Sequence, residues 1–351
     1  MTRSKAGRAK AAAPTAAVLA AFAAFALSFL VAGCSQSPNP SSSSSSSANT
    51  TTAAVPSTTT TTGPAGTWSK PIKVAANTDL SVVSCPAPFS CVMGSATGQT
   101  YRLFLEKVSA LGSPVPSPSP QGDAFVSCAG SGFCAAAPNL NQVSFLSGSS
   151  WQAPATISAA QGITAIDCTG PTFCITIDGE GNSFAYDGSG WSGNIGAWGA
   201  ANQISCVSPS FCIAAEGGPS VFNGHTWTQP GDIDSQGQLN SVSCATTTFC
   251  VIVDSNGDVL TWNGTSFSSP VSIATEPPLT GTNASGLTSV SCPTTTFCRA
   301  VDSIGRVFAW NGTTWSAGTL IDNGHALTSI SCPTVSYCVA VDRSGNAFVS
   351  T

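Results

Sequence analysis

Charge is scarce in this chain. Only 8% of its 351 residues are Asp, Glu, Lys or Arg, and a groove that tracks nucleic-acid phosphates needs clustered Lys and Arg that are absent here. The formal net charge of -5 understates the acidity, because Arg3, Lys5, Arg8 and Lys10 lie in the first ten residues. Past them, seven basic residues face sixteen acidic ones. Histidine is scarcer still: His225 and His325 are the only two. Neither stands in a pattern with a nucleophile or a metal-binding HxxEH run, so each reads as a solvated turn or loop residue. Strong helix formers of the Glu, Lys and Leu type are few. What is present is 42% hydrophobic residues with abundant Gly, Ser and Thr, the makings of short strands and turns.

The N-terminal segment reads as an address rather than a fold. "MTRSKAGRAK" is basic, and residues 11–30 form an apolar stretch of signal-peptide length. It ends in "VAGC", Val31 to Cys34, which resembles the lipobox of bacterial lipoproteins. That resemblance implies cleavage before Cys34, so that residues 1–33 are a signal peptide, and a diacylglycerol on the Cys34 sulfur. The expected location is extracytoplasmic, with the membrane as a partner through the lipid. Several acyl chains anchor stably, since each buried CH₂ contributes about 0.8 kcal/mol. Residues 35–65 are nearly all Ser, Thr, Pro and Ala and cannot bury enough apolar surface to fold, so 34–65 reads as a solvated tether. As a coil it spans on the order of 30 Å.

From residue 66 onward a repeat governs the sequence. Cys85 pairs in spacing with Cys91, Cys128 with Cys134, Cys168 with Cys174, Cys206 with Cys212, Cys244 with Cys250, Cys292 with Cys298, and Cys332 with Cys338. Each pair is C-x5-C, and with Cys34 they account for all 15 cysteines. Their spacing of 38 to 48 residues is the size of a four-stranded propeller blade. In "LTSVSCPTTTFCRAVDSIGRVFAWNGTTWSAGTLI" a strand ends at the first Cys, a second follows the five-residue loop, "DSIG" turns into a third, and "NGT" turns into a fourth. Aromatic or apolar residues five apart straddle the last turn: Trp310 and Trp315, Trp262 and Phe267, Phe222 and Trp227, Tyr186 and Trp191, Leu146 and Trp151. Their recurrence in every such blade fits inter-blade core better than a ligand cage.

The two ends complete each other. The seventh repeat stops after its third strand, at "AVDRSGNAFVST", while "GTWSKPIKV" precedes the first repeat with Trp68 in the equivalent aromatic position. The expectation is an all-β, seven-bladed propeller over residues 66–351, closed by pairing its two terminal segments, which leaves no open edge. The repeat resembles the Cys-paired "SCPxxxFCxAVDxxGxxxxWNGxxWS" blades of secreted actinobacterial β-propeller proteins, many without known activity. "AVDSIGRVFAWNG" also looks like the motif of quinoprotein-type propellers, whose cofactor and calcium ligands have no counterpart here.

Thiols spaced C-x5-C suit neither zinc knuckles nor a C-x-x-C redox couple. In a secreted chain they read as hairpin disulfides, with Cα atoms expected near 5.5 Å. Four residues past the second Cys stand Asp178, Glu216, Asp254, Asp302 and Asp342, with Ser95 and Pro138 in the other two blades. These acids read either as acceptors inside Asx-type turns or as a cation-binding rim on the blade-to-blade loop face. "DSNGD" places Asp254, Asn256 and Asp258 as in a calcium loop but lacks the Glu at the twelfth position, so the expectation is no cofactor, with calcium as the alternative. No catalytic residues stand out. Arg102, Arg299, Arg306 and Arg343 with Tyr101 supply parts of a sialidase-like site, but Asp-box turns are missing from their usual place. The reading is a monomeric extracellular binding or scaffold module for a protein or glycan, with a lectin or a polysaccharide-cleaving enzyme as alternatives. A binding site is expected where the repeat is broken, at the irregular loops of residues 274–286 and 193–199 with Trp198.

Overall fold

The computed structural model describes residues 66–351 apart from 115–123, 131, 139–140, 160, 197–198, 200, 216–217, 231–232, 234–236, 276–285 and 324. The signal segment, Cys34, the tether, Glu216, Trp198 and most of the 274–286 loop lie outside the described residues. Those described fold into seven antiparallel sheets arranged as propeller blades, with no helix among them.

Blade 6 shows the plan. Leu287–Thr294 pairs with Phe297–Asp302, which pairs with Arg306–Trp310, which pairs with Thr319–Leu320. Blade 7 has only three strands of its own, Leu327–Thr334, Tyr337–Asp342 and Asn346–Ser350; its outer edge is Ile72–Lys73, with Ile72 opposite Ala347 and Lys73 opposite Asn346. Ser69 strengthens that seam: its N–H donates to the Val349 carbonyl at 2.7 Å, and its Oγ accepts from the Val349 N–H at 3.0 Å. The ring is closed from both ends of the repeat region, as the split repeat implied. Two blades simplify the plan at their rims. Blade 3 keeps three strands, Ile163–Gly170, Phe173–Asp178 and Ser183–Tyr186, and its fourth is a single bridge between Tyr186 and Trp191. Blade 2 divides its outer edge between Ser150–Trp151 and Ala155–Thr156.

Blade 1, which lacks both the Asp and the Trp-Asn-Gly, nonetheless forms four strands. Ser95 stands in for the Asp, its Oγ accepting from the Gln99 N–H at 3.1 Å. Leu105 and Glu106, at φ of 49° and 61°, make the two-residue turn between the outer strands, the positive-φ geometry that a right-twisted hairpin requires.

All seven C-x5-C pairs are disulfides: Cys85 to Cys91, Cys128 to Cys134, Cys168 to Cys174, Cys206 to Cys212, Cys244 to Cys250, Cys292 to Cys298, and Cys332 to Cys338. Their Cα separations are 4.0 to 4.1 Å, which corrects the 5.5 Å expected from sequence. The register explains the difference. The partners face each other on adjacent strands, as in Cys168 opposite Cys174, and narrow antiparallel pairs approach to about 4.5 Å. Burial also limits what these cysteines can do. The second member of each pair opens the doubly covered strand, and Cys91, Cys134, Cys174, Cys212, Cys250, Cys298 and Cys338 are all between 0% and 2% exposed. These seven positions therefore combine core packing with the cross-link.

The buried residues form seven clusters, each drawn from two neighbouring blades. One joins Val301, Val307, Ala340 and Phe348 across blades 6 and 7; another joins Leu80, Met93, Val339 and Val349 across blades 7 and 1. Cys212 lies in the cluster between blades 3 and 4, Cys250 in that between blades 4 and 5, and Cys134 in that between blades 1 and 2. Second strands are therefore buried on both faces, and Phe173–Asp178 and Tyr337–Asp342 are buried at every position. That is why strict alternation is missing from the sequence. The aromatic pairs meet across the outer turn, with ring centroids 4.9 Å apart for Trp262 and Phe267 and 5.8 Å for Trp310 and Trp315. Trp262 and Trp310 each donate through Nε1, at 3.1 Å, to a carbonyl in their own blade's disulfide loop.

Inner strands are joined by side chains. In every blade the N–H of the first Cys donates to the residue that precedes the first Cys of the blade before it. Cys85 meets Ser331 at 3.0 Å, Cys128 Ser84 at 2.9 Å, Cys168 Ser127 at 3.0 Å, Cys206 Asp167 at 2.6 Å, Cys244 Ser205 at 3.0 Å, Cys292 Ser243 at 2.9 Å and Cys332 Ser291 at 2.9 Å. Asp167 is the one acid in this ring. Burial pushes its carboxyl up to about 6, against opposing hydrogen bonds from the Cys206 N–H, the Ser127 hydroxyl and the Cys168 N–H.

Two outcomes follow from this architecture. Deleting residues 66–74 removes the outer edge of blade 7 and is expected to lower Tm by about 10 °C or more; calorimetry of the full chain against the deletion checks it. Asp167 holds a proton in the folded state over a range where the unfolded carboxyl, near the ordinary 3.8, has lost it. Its contribution to stability therefore declines as pH rises from about 4 to 6. D167S, which installs the serine of the other blades, should remove that decline and add on the order of 2 kcal/mol at pH 7. An unchanged pH slope of Tm in D167S would refute the assignment.

Candidate functional site

The strand order gives the ring two unlike faces. One carries the five-residue disulfide loops and the turns between third and fourth strands. The other carries the turns between second and third strands and the connections from blade to blade.

The recurring acids lie on the second face, but inside its turns. Asp178, Asp254, Asp302 and Asp342 are each 0% exposed, so they form no open rim. Each Oδ1 accepts from the backbone N–H two and four residues on: Glu180 and Asn182, Asn256 and Asp258, Ile304 and Arg306, Ser344 and Asn346, at 2.7 to 3.1 Å. This is the Asx-turn geometry, the first of the two readings open from sequence. The second oxygen differs by blade. That of Asp178 accepts from Asn182 Nδ2 at 3.0 Å and that of Asp342 from Asn346 Nδ2 at 2.6 Å, while Asp302 makes a buried ion pair with Arg306 Nε at 2.6 Å. The "NGT" turns on the opposite face are built alike, with Asn263 Oδ1 accepting from the Thr265 and Ser266 N–H groups and Asn311 Oδ1 from those of Thr313 and Thr314, all at 2.9 Å.

The disulfide-loop face holds a cavity of about 670 Å³ between blades 6 and 7. Its walls are Phe297, Trp310 and Trp315 from blade 6 and Tyr337 from blade 7, with Val335, 53% exposed, at the rim. Gly66, where the described chain begins, also lines it. Arg299 stands in this wall, 5% exposed, with its guanidinium carbon 4.1 Å from the centre of the Phe297 ring and Nη1 donating to the Cys298 carbonyl at 3.3 Å. Burial draws its pKa below the usual arginine value. The residue after the second Cys is Val92, Ala135, Ile175, Ile213, Val251 and Val339 in the other six blades. Only blade 6 puts a cation there. From sequence, Arg299 stands merely among possible sialidase parts; the signal that distinguishes it is this single departure from an apolar repeat position.

Aromatic faces beside a buried guanidinium can hold an apolar group next to a carboxylate. Among the described residues, neither Asp, Glu nor His lines the cavity. A glycosidase, by contrast, needs two facing carboxylates.

No family model and no curated protein matches this chain. Solved structures do match in fold. YCF48 bound to D1 peptide aligns with a TM-score of 0.64 at 13% identity, covering 81% of this chain and 96% of that one. YCF48 from Cyanidioschyzon merolae aligns at 0.61 and 12% identity, covering 81% and 98%. The WD40 repeats of RRP9 align at 0.68 and 9% identity, covering 80% and 96%. At these identities the likeness shows the β-propeller fold alone.

Proposed function

We propose that this protein is a lipid-anchored extracellular propeller that acts as a monomeric binding module for a protein partner, taking a peptide segment into the cavity between blades 6 and 7. The observation that carries the reading is Arg299, a cation buried against the Phe297 ring in the wall of a cavity that Trp310 and Trp315 also line, where the repeat otherwise has an apolar residue. Such a lining favours a segment with a carboxylate beside an aromatic or aliphatic side chain. YCF48, similar in fold, is a propeller bound to a peptide, and that supports this mode of use. A disulfide in every blade suits an oxidising compartment, and the lipobox-like "VAGC" supplies the anchor at Cys34.

Two measurements test the reading. In a bacterial host, Cys34→Ala is expected to abolish incorporation of labelled palmitate and shift the protein from the membrane fraction to the medium; unchanged membrane retention would count against the anchor. For the cavity, the full chain is used to probe an array of peptides varied in acidic and aromatic content. Acidic-aromatic peptides should be retained, with R299M weakening them about tenfold or more while Tm stays within a few degrees. Retention of wall polysaccharide instead, unaffected by R299M, would replace this reading with a lectin.

A further inference from the structure

The blade-loop face has a second departure from the repeat, on the opposite face of the ring from the cavity and independent of it. As in blades 5 and 7, the chain leaving the fourth strand of blade 6 is gripped by the preceding turn: the Ile321 and Asp322 N–H groups donate to the Gly305 carbonyl at 2.9 and 3.2 Å. Gly305, at φ +93°, is the residue this grip requires, because a Cβ there would collide with the Asp322 carbonyl. The grip holds Asp322 against the neighbouring turn of blade 7, where Asp342 sits. A carboxylate oxygen of Asp322, one of Asp342 and a ring nitrogen of His325 all lie within 4.8 Å of one another.

The two carboxylates are drawn together out of water. Asp342 is 0% and Asp322 9% exposed, while His325 stands at the solvent side with Nδ1 3.3 Å from Asp322 Oδ1. Oδ2 of Asp322 is closed to solvent and has no hydrogen-bond partner among the described residues. Two carboxylates so placed repel unless a proton or a cation lies between them. Burial, then the neighbouring Asp342, holds the Asp322 carboxyl above its usual range. In blade 6 the corresponding acid, Asp302, is met by the chain's own cation, Arg306; in blade 7 the residue at that place is Asn346.

We propose that Asp322, His325 and Asp342 form a binding site for a divalent transition-type cation of the zinc class. Two carboxylate oxygens and one imidazole nitrogen suit zinc better than calcium, which prefers an all-oxygen shell of six to eight ligands. Bonds of about 2.1 Å place ligand atoms some 3 to 4 Å apart, so the three groups need to contract by less than about 2 Å. Three protein ligands leave a fourth position for water or for an acidic group of a partner. Each ligand must be deprotonated to bind, so uptake releases protons and weakens in acid.

The test is zinc titration calorimetry on the tag-free full chain with its disulfides intact at pH 7. One equivalent is expected to bind with micromolar or tighter affinity, with D322N and H325A each weakening it at least tenfold and H225A leaving it unchanged. Metal-free Tm of H325A should match that of the unsubstituted chain, which separates ligand loss from misfolding. The proposal is overturned if the chain takes up no zinc, if D322N and H325A bind as tightly as the unsubstituted chain, or if calcium binds where zinc does not. A Tm that rises on acidification with no response to zinc would also overturn it, leaving a proton shared between the two carboxyls.

Discussion

The hydrogen bond from each first cysteine's N–H to the side chain one blade back is the contact on which the ring depends. Inner strands of neighbouring blades run side by side around the axis but belong to separate sheets, with no backbone ladder between them. An inward N–H without a partner would cost roughly 1 to 3 kcal/mol in each of seven blades. A serine hydroxyl reaches across the gap, and one residue later the disulfide fastens the same strand to its hairpin partner. Blade contact and hairpin closure are thus set at adjacent residues, and "SC" is one structural unit rather than a cysteine motif with a passive neighbour. Ser241, Ser289 and Ser329 repeat the device two residues earlier, accepting from Val290, Ile330 and Val83 at 3.1 to 3.2 Å.

With the inner strands fixed, charge has little place inside the blades. Each blade is sandwiched, so both faces of its second strand lie in the inter-blade clusters and only turns and outer edges meet water. Turns are built from Asn, Asp, Ser, Thr and Gly, which satisfy backbone groups locally with little net charge. Uncharged turn-formers hold these positions in a chain of which only 8% is charged.

Much of this was legible in the sequence, for a specific reason: the features that announced it are local and repeat. C-x5-C, the aromatic pair five residues apart, and the repeat divided between residues 66–74 and 327–351 each fix a contact within one hairpin or one seam. The pairing of Cys91, Cys134, Cys212 and Cys250 with their upstream partners could be read that way, but not their near-complete burial, which depends on the blade next door. The inter-blade serine was visible as "SC" but gives no local sign of pointing sideways. The acids at Asp178, Asp254, Asp302 and Asp342 recur just as regularly, yet recurrence could not tell a rim from the inside of a turn; the backbone donors two and four residues on decide that. Blade 3's reduced outer strand and the grouping of Asp322 with Asp342 depend on loops meeting across blades, which no periodicity encodes.

Two departures from the repeat that involve charge, Arg299 and the grouping of Asp322 and His325 with Asp342, fall at blades 6 and 7, and in a chain so short of charge that placement is informative. Arg306 lies in a buried pair with Asp302, 4% and 0% exposed. Removing either partner of such a pair typically costs about 3 to 5 kcal/mol, though the pair itself contributes little net stability. Uncharged donors serve the same turn in blades 3 and 7, where Asn182 and Asn346 reach the equivalent aspartates. Stability therefore does not call for the arginine. What Arg306 changes is electrostatic: it neutralises the acid of blade 6 and leaves that of blade 7 beside Asp322 and His325. Arg299, on the same blade and the opposite face, replaces an apolar repeat residue at the wall of the cavity. Blade 6 has thus acquired two buried cations at positions where its sisters manage without them, and each gives one face of the blade 6–7 junction a character that the rest of the ring does not share.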